Sequence, residues 1–155
     1  MTESSRYIRT GFFDDFKGYD TLLISVDNHG LREMESALVE LSKGILQFEF
    51  AALKLLDKRY HVEIKAYNDK NNTGLKKTDK GIFEWRLTQR NWDHFRQLLT
   101  TLIRNGKGGH QYLDSEANYY AEEADYIDLD SLQVIVSLNE YSLDFWKDHF
   151  DRSNC

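Results

Sequence analysis

The chain reads as an α+β protein: a two-layer sandwich, mostly antiparallel sheet with two amphipathic helices on one face. Three observations predict it. Two stretches carry apolar residues at helical spacing, short β-branched and aromatic runs alternate with them, and the two helical units can be laid on one another. The 155 residues contain no proline and no visible linker, so a single domain over 1–155 is expected.

Taken in order, Tyr7-Ile8-Arg9-Thr10 suggests a short edge strand, with Phe12, Phe13 and Phe16 packing over the core. Thr21 to Val26 is a compact apolar strand. Asp27 or Asn28 can cap the first helix, because a short side-chain oxygen accepts a first-turn amide hydrogen. Leu31, Met34, Leu38 and Leu41 then share one face, and Gly44 marks the end. Ile45 to Leu56 is ambiguous, alternating like a strand over Gln47–Phe50 and compatible with a helix over Ala51–Leu56. The strand is favoured because Gly44 has just ended a helix, with a turn at Asp57-Lys58 into a second strand over Tyr60–Tyr67. Residues 68–80, NDKNNTGLKKTDK, read as a polar, basic turn region. Ile82–Leu87 is the next strand. Thr88 caps the second helix, with Trp92, Phe95, Leu99 and Leu102 on its buried face and Asn105-Gly106 at its end. His110–Asp114 and Leu132–Ser137 read as strands, and Ser142–Phe150 as a short closing helix with Leu143, Trp146 and Phe150 inward.

The two helical units echo each other. The apolar residues of the first fall at offsets 4, 7, 11 and 14 from Asp27, and those of the second at the same offsets from Thr88. The chain therefore reads as strand–helix–strand–strand, given twice. Any amphipathic helix of this length matches some of these offsets, so the pattern is compatible with duplication without requiring it.

Charge is distributed unevenly. Net charge is −6, made up of −4 over residues 1–53, +7 over 54–107 and −9 over 108–155. Such asymmetry marks either an interaction surface or two segments that face each other in the fold. The one cysteine, Cys155, is the last residue, which leaves no internal disulfide. The first residues lack the apolar run of a signal peptide and no segment has the length of a membrane span, so the expected location is cytoplasmic.

Motifs for chemistry are missing. The glycine-rich turn Asn105–His110 follows a helix, whereas a phosphate cradle precedes one. Asp125, Asp128 and Asp130 lack the alternate-position ligands and central glycine of a calcium loop. The five histidines contain no HxxxH pair. No catalytic residue, metal or cofactor is expected, and neither nucleic acid nor membrane is an expected partner.

What stands out is His110 to Trp146, which holds nine carboxylates and no Lys or Arg. The candidate partner-binding residues are Tyr112, Asp114, Glu116, Tyr119, Tyr120, Glu122, Glu123, Asp125, Tyr126, Asp128 and Asp130. Carboxylates steer a basic partner towards them, and tyrosines offer wide contact area with few rotatable bonds to freeze. The stretch YLDSEANYYAEEADYIDLD at 112–130, in a small acidic α+β chain, resembles in overall character the bacterial immunity proteins that neutralise toxins. That resemblance implies a non-catalytic inhibitor whose acidic side chains occupy the basic cleft of a cognate toxin, such as a nuclease. The alternative is a small enzyme or ligand-binding domain with a pocket near His110 and Asp114. A third reading is a structural subunit whose acidic segment pairs with the basic 54–107 segment of a second copy.

Overall fold

The computed structural model describes residues 6–16, 19–113, 126–127 and 132–151. The chain opens with a hairpin, β1 (Ile8–Phe16) and β2 (Tyr19–Val26), followed by helix α1 (Asn28–Ser42). A second hairpin pairs β3 (Gln47–Glu49) with β4 (Ile64–Asn68). The series then repeats: hairpin β5 (Asn72–Lys77) and β6 (Phe83–Leu87), helix α2 (Gln89–Asn105), and hairpin β7 (Gly109–Tyr112) with β9 (Gln133–Leu138). Between β7 and β9 lies the two-residue β8 (Tyr126–Ile127). Helix α3 (Leu143–Trp146) runs into a π-helical turn over Lys147–Asp151.

Both long helices form for the reasons their sequences suggest. Asp27 caps α1, its Oδ1 accepting from the Gly30 amide at 2.8 Å and from Tyr7 N at 3.2 Å. Thr88 caps α2, accepting from Asn91 N at 3.1 Å. Each cap satisfies a first-turn donor that has no partner within the helix. Gly106 ends α2 at φ 70°, a left-handed conformation that glycine adopts without a Cβ penalty.

The pairing of the hairpins is the central feature. One sheet has the order β1-β2-β9-β7 and the other β3-β4-β6-β5-β8. Each is built from two antiparallel hairpins joined by a parallel pair, β2 with β9 and β4 with β6. Each half of the chain thus keeps its first hairpin in one sheet and contributes its second hairpin to the other. Matching hydrogen bonds close the two parallel pairs: Asn139 N donates to Val26 O and Asp69 N to Leu87 O, both at 2.9 Å. The outer edges match as well. A parallel bridge joins Ile8 on β1 to Leu56, and β5 pairs in parallel with β8, Thr73 opposite Ile127. The sequence echo is therefore an internal pseudo-two-fold of hairpin–helix–hairpin units.

One core fills the space between the inner sheet faces and the two helices. Leu22, Ile24 and Val26 from β2, Phe83, Trp85 and Leu87 from β6, and the apolar stripes of α1 and α2 all belong to it. Each fully buried Leu, Ile or Phe contributes roughly 1.5–3 kcal/mol relative to an exposed one. Trp85 packs edge-on against Trp92 with centroids 5.0 Å apart, and the Trp92 indole donates to Tyr67 O at 3.0 Å. The outer face of the first sheet is covered too, by α3 and the π turn, where Phe13, Leu23, Tyr60, Ile135 and Trp146 form a second core. In the second sheet the cross-strand pair equivalent to Leu23–Ile135, three residues before each strand end, is Glu84–Lys65. Charge there keeps that outer face towards solvent.

Several expectations are corrected. The basic turn region over 68–80 contains a six-residue strand, β5, with Thr73, Gly74 and Leu75 buried. Thr73 and Leu75 share one face, and Gly74 between them has no side chain to mark the other, so the alternation is hidden in the sequence. The expected strand over Ile45–Leu56 shortens to β3 and a 3-10 turn at Phe50–Ala52, and β4 begins at Ile64 rather than Tyr60. A turn does form at Asp57-Lys58, closed by Tyr60 N donating to Asp57 O at 3.0 Å, but it joins no paired strands; Asp57 N donates to Ile8 O at 2.8 Å. The α+β sandwich class holds, with its sheet divided in two; the centre of each sheet is parallel because hairpins from different halves meet there. Among the described residues no helix is long and apolar enough to cross a membrane.

Candidate functional site

The acidic stretch is the second half's version of a connection that the first half uses for packing. In the first half, residues 50–63 join β3 to β4, burying Phe50, Leu53, Leu56 and Tyr60. The Glu33 carboxylate fastens that connection to α1 by accepting from Lys54 N at 2.6 Å and Leu55 N at 2.9 Å. In the second half, residues 113–132 join β7 to β9 at the pseudo-symmetric place. The first connection carries Lys54, Lys58 and Arg59, whereas the second is the acidic one.

Both ends of the acidic connection are fixed. Leu113 N donates to Val134 O at 2.9 Å, and Leu132 N to Leu75 O at 3.2 Å. Between them, β8 lies along β5 with Asn72 opposite Tyr126. The acidic stretch therefore meets the backbone of the chain's own basic segment at β8 and Leu132. This supports, at those points, the reading in which the two segments face each other.

Of the candidate partner-binding residues, Tyr112 is described in full: it sits on β7 and is 46% exposed. Tyr126 is placed by its backbone on β8. Asp114, Glu116, Tyr119, Tyr120, Glu122, Glu123, Asp125, Asp128 and Asp130 lie outside the described residues, as does the Asp114 half of the alternative pocket.

Tyr112 has a close neighbour on its own strand, backed by a residue after β9. Its ring meets His110 edge-on with centroids 5.5 Å apart. His110 Nδ1 lies 3.1 Å from Glu140 Oε2, and the other Glu140 oxygen accepts from the buried Ser137 hydroxyl. Asn139, at φ 58°, turns the chain sharply after β9 and brings Glu140 back beside the strand. The sequence reading put His110 with Asp114 and missed Glu140. No local signal marks it, because Glu140 reaches His110 only where β9 lies beside β7. The order Ser–Glu–His places a carboxylate, not the imidazole, beside the hydroxyl. Ser137 is fully buried, and the trio holds its side chains together on the β7 flank.

Among the described residues, cavities open elsewhere. One, of about 600 Å³, is lined by Ser42, Lys70, Thr88, Gln89, Arg90 and Asp93 between the end of α1 and the start of α2. Another, of about 470 Å³, lies on the second sheet among Asp69, Thr73, Gly74, Lys76, Glu84 and Arg86. Its charges are internally matched: Arg86 pairs with Asp69 at 3.2 Å and Glu84 at 3.3 Å and lies over the Tyr67 ring. Burial alone would raise the Asp69 pKa, but amide donors from Asn71 and Asn72, together with Arg86, bring it below the ordinary carboxylate value. Among the described residues no group of three or more His, Cys, Asp or Glu side chains could hold a metal ion. Comparison of the chain with family models, curated proteins and solved structures finds no match.

Proposed function

We infer that the protein is a non-catalytic binding protein that docks its acidic, tyrosine-rich surface onto a basic protein, in the manner of an immunity or antitoxin-type inhibitor. The observation that carries this reading is the placement of the acidic connection. A segment with seven carboxylates between Leu113 and Leu132 is pinned at both ends onto strands of a rigid double-sheet scaffold. Its pseudo-symmetric counterpart is committed to packing. A dense single-sign segment held at its ends loses less freedom on docking than a free tail, and its field raises the rate of encounter with a cationic cleft. Tyr112, exposed at the entry to the segment, supplies a rigid aromatic contact of the kind that dominates protein interfaces.

The test is association kinetics with candidate basic toxins, nucleases first, over rising salt. The expected result is an association rate that falls steeply with ionic strength. The combined Glu122→Lys, Glu123→Lys and Asp125→Lys variant should bind much more slowly. A salt-insensitive rate, or charge reversal without effect, would overturn the reading.

A further inference from the structure

The register of β7 exposes a pairing edge beside the acidic segment. In an antiparallel pair, directly opposite residues alternate between those that exchange hydrogen bonds and those whose backbone groups point away. Leu113 N bonds to Val134 O, the residue directly opposite it when the β7–β9 register is extended by one. The neighbouring pair, Tyr112 with Ile135, is therefore of the second kind, and so is His110 with Ser137. The amide hydrogens and carbonyls of His110 and Tyr112 thus point outward from the edge of the first sheet. No described residue pairs with that edge.

Unpaired edges are templates for strand addition, and proteins commonly blunt them. The pseudo-symmetric edge strand, β3, is only three residues long, and its Gln47 and Glu49 side chains are tied to each other. β7 is different. It presents an exposed Tyr112, held edge-on by His110, which is itself fixed by Glu140. The described carboxylate beside it is Glu140, and the sequence that follows Tyr112 carries seven more before Leu132.

We propose that an extended, lysine- or arginine-bearing segment of a basic protein partner adds as a strand to the β7 edge. This rests on the acidic-surface reading and specifies how the partner is engaged. Backbone hydrogen bonds to His110 and Tyr112 supply the pairing, and the alternate cationic side chains answer the negative charge of Glu140 and of the acidic sequence that follows.

A nine-residue peptide alternating Lys and Val serves as the probe. A control peptide carries N-methyl groups on the amides of one strand edge, and an identical one carries them on the other. The peptide should slow exchange of the His110 and Tyr112 amide hydrogens. N-methylation on the pairing edge should weaken binding by roughly tenfold or more, the equivalent of one or two lost hydrogen bonds. Tyr112→Pro, which removes one outward donor, should weaken it similarly, while Tyr112→Phe should retain it.

Absence of binding, unchanged exchange at His110 and Tyr112, or indifference to N-methylation at either edge would overturn strand addition. A concentration-dependent dimer that protects the same amides without peptide would also overturn it, assigning the edge to a second copy. The two readings fail separately. Binding that is lost on charge reversal at Glu122, Glu123 and Asp125 but leaves the β7 amides unprotected keeps the acidic surface and removes strand addition. Protected amides with no effect of charge reversal do the opposite.

Discussion

Truncating Asp57 should destabilise the fold far more than truncating either arginine it binds. Asp57 and Arg9 form a 2.9 Å ion pair with side chains 9% and 6% exposed. Arg59 adds a second contact at 3.0 Å, but its side chain is 62% exposed. Asp57→Ala leaves the Arg9 guanidinium buried without a counter-charge, which costs about 3–5 kcal/mol. Arg59→Ala removes an exposed partner, worth about 0.2–1 kcal/mol. Arg9→Met should fall between them, because Asp57 then keeps Arg59. Acid sharpens the test. Burial alone would raise the Asp57 pKa, but hydrogen bonds from Arg59 and Arg9 and from the Arg59 amide outweigh it and lower the pKa. A carboxyl with a depressed folded-state pKa contributes stability above its unfolded value, near 3.9, and that contribution disappears as pH falls through the folded value. Urea unfolding followed by tryptophan fluorescence from pH 7 downward should show the gap between the native chain and Asp57→Ala narrowing below about pH 4. Equal costs for Asp57→Ala and Arg59→Ala, or a gap independent of pH, would refute the reasoning.

Three further outcomes are expected. Gly30→Ala should destabilise, although the same change in a free helix gains up to about 1 kcal/mol, because the new Cβ would lie 2.0 Å from Tyr7 O; thermal melts decide the sign. Asp27→Ala should cost more than Thr88→Ala, whose loss should be on the order of 1 kcal/mol, since Asp27 also holds Tyr7 N; denaturant midpoints compare the two. Trp146→Ala should cost about 3–5 kcal/mol, because Trp146 is fully buried and stacks on Phe150; loss of near-UV circular dichroism would accompany it.

The helices were legible because their evidence is local. Caps at Asp27 and Thr88 and stripes of four apolar residues survive any choice of neighbour. Strands whose burial comes from one face, such as Phe83–Leu87, were legible from alternation. β5 was not, since Asn72–Lys77 is polar at both ends and has a glycine between its two buried side chains. Nor was Tyr60, which is buried from a loop by Trp146 and Phe150 rather than from a strand. The exchange of hairpins between halves depends on pairings such as Thr21 with Gln133, which no local pattern encodes. Of the candidate site, the acidic composition and Tyr112 were readable. The Ser137–Glu140–His110 support was not, because it needs β7 and β9 side by side.

The exchanged hairpins also impose an order on synthesis. By the time Leu87 has emerged, the second sheet's four main strands, β3 to β6, all exist. The first sheet is different: Thr21 must wait for Gln133, whose side chain accepts its hydroxyl hydrogen bond from 112 residues away. At ribosomal rates that delay is on the order of ten seconds, during which the apolar Thr21–Val26 strand has one bare edge. A chain stalled or cleaved before residue 133 would keep that edge open, and aggregation of such fragments is the natural consequence.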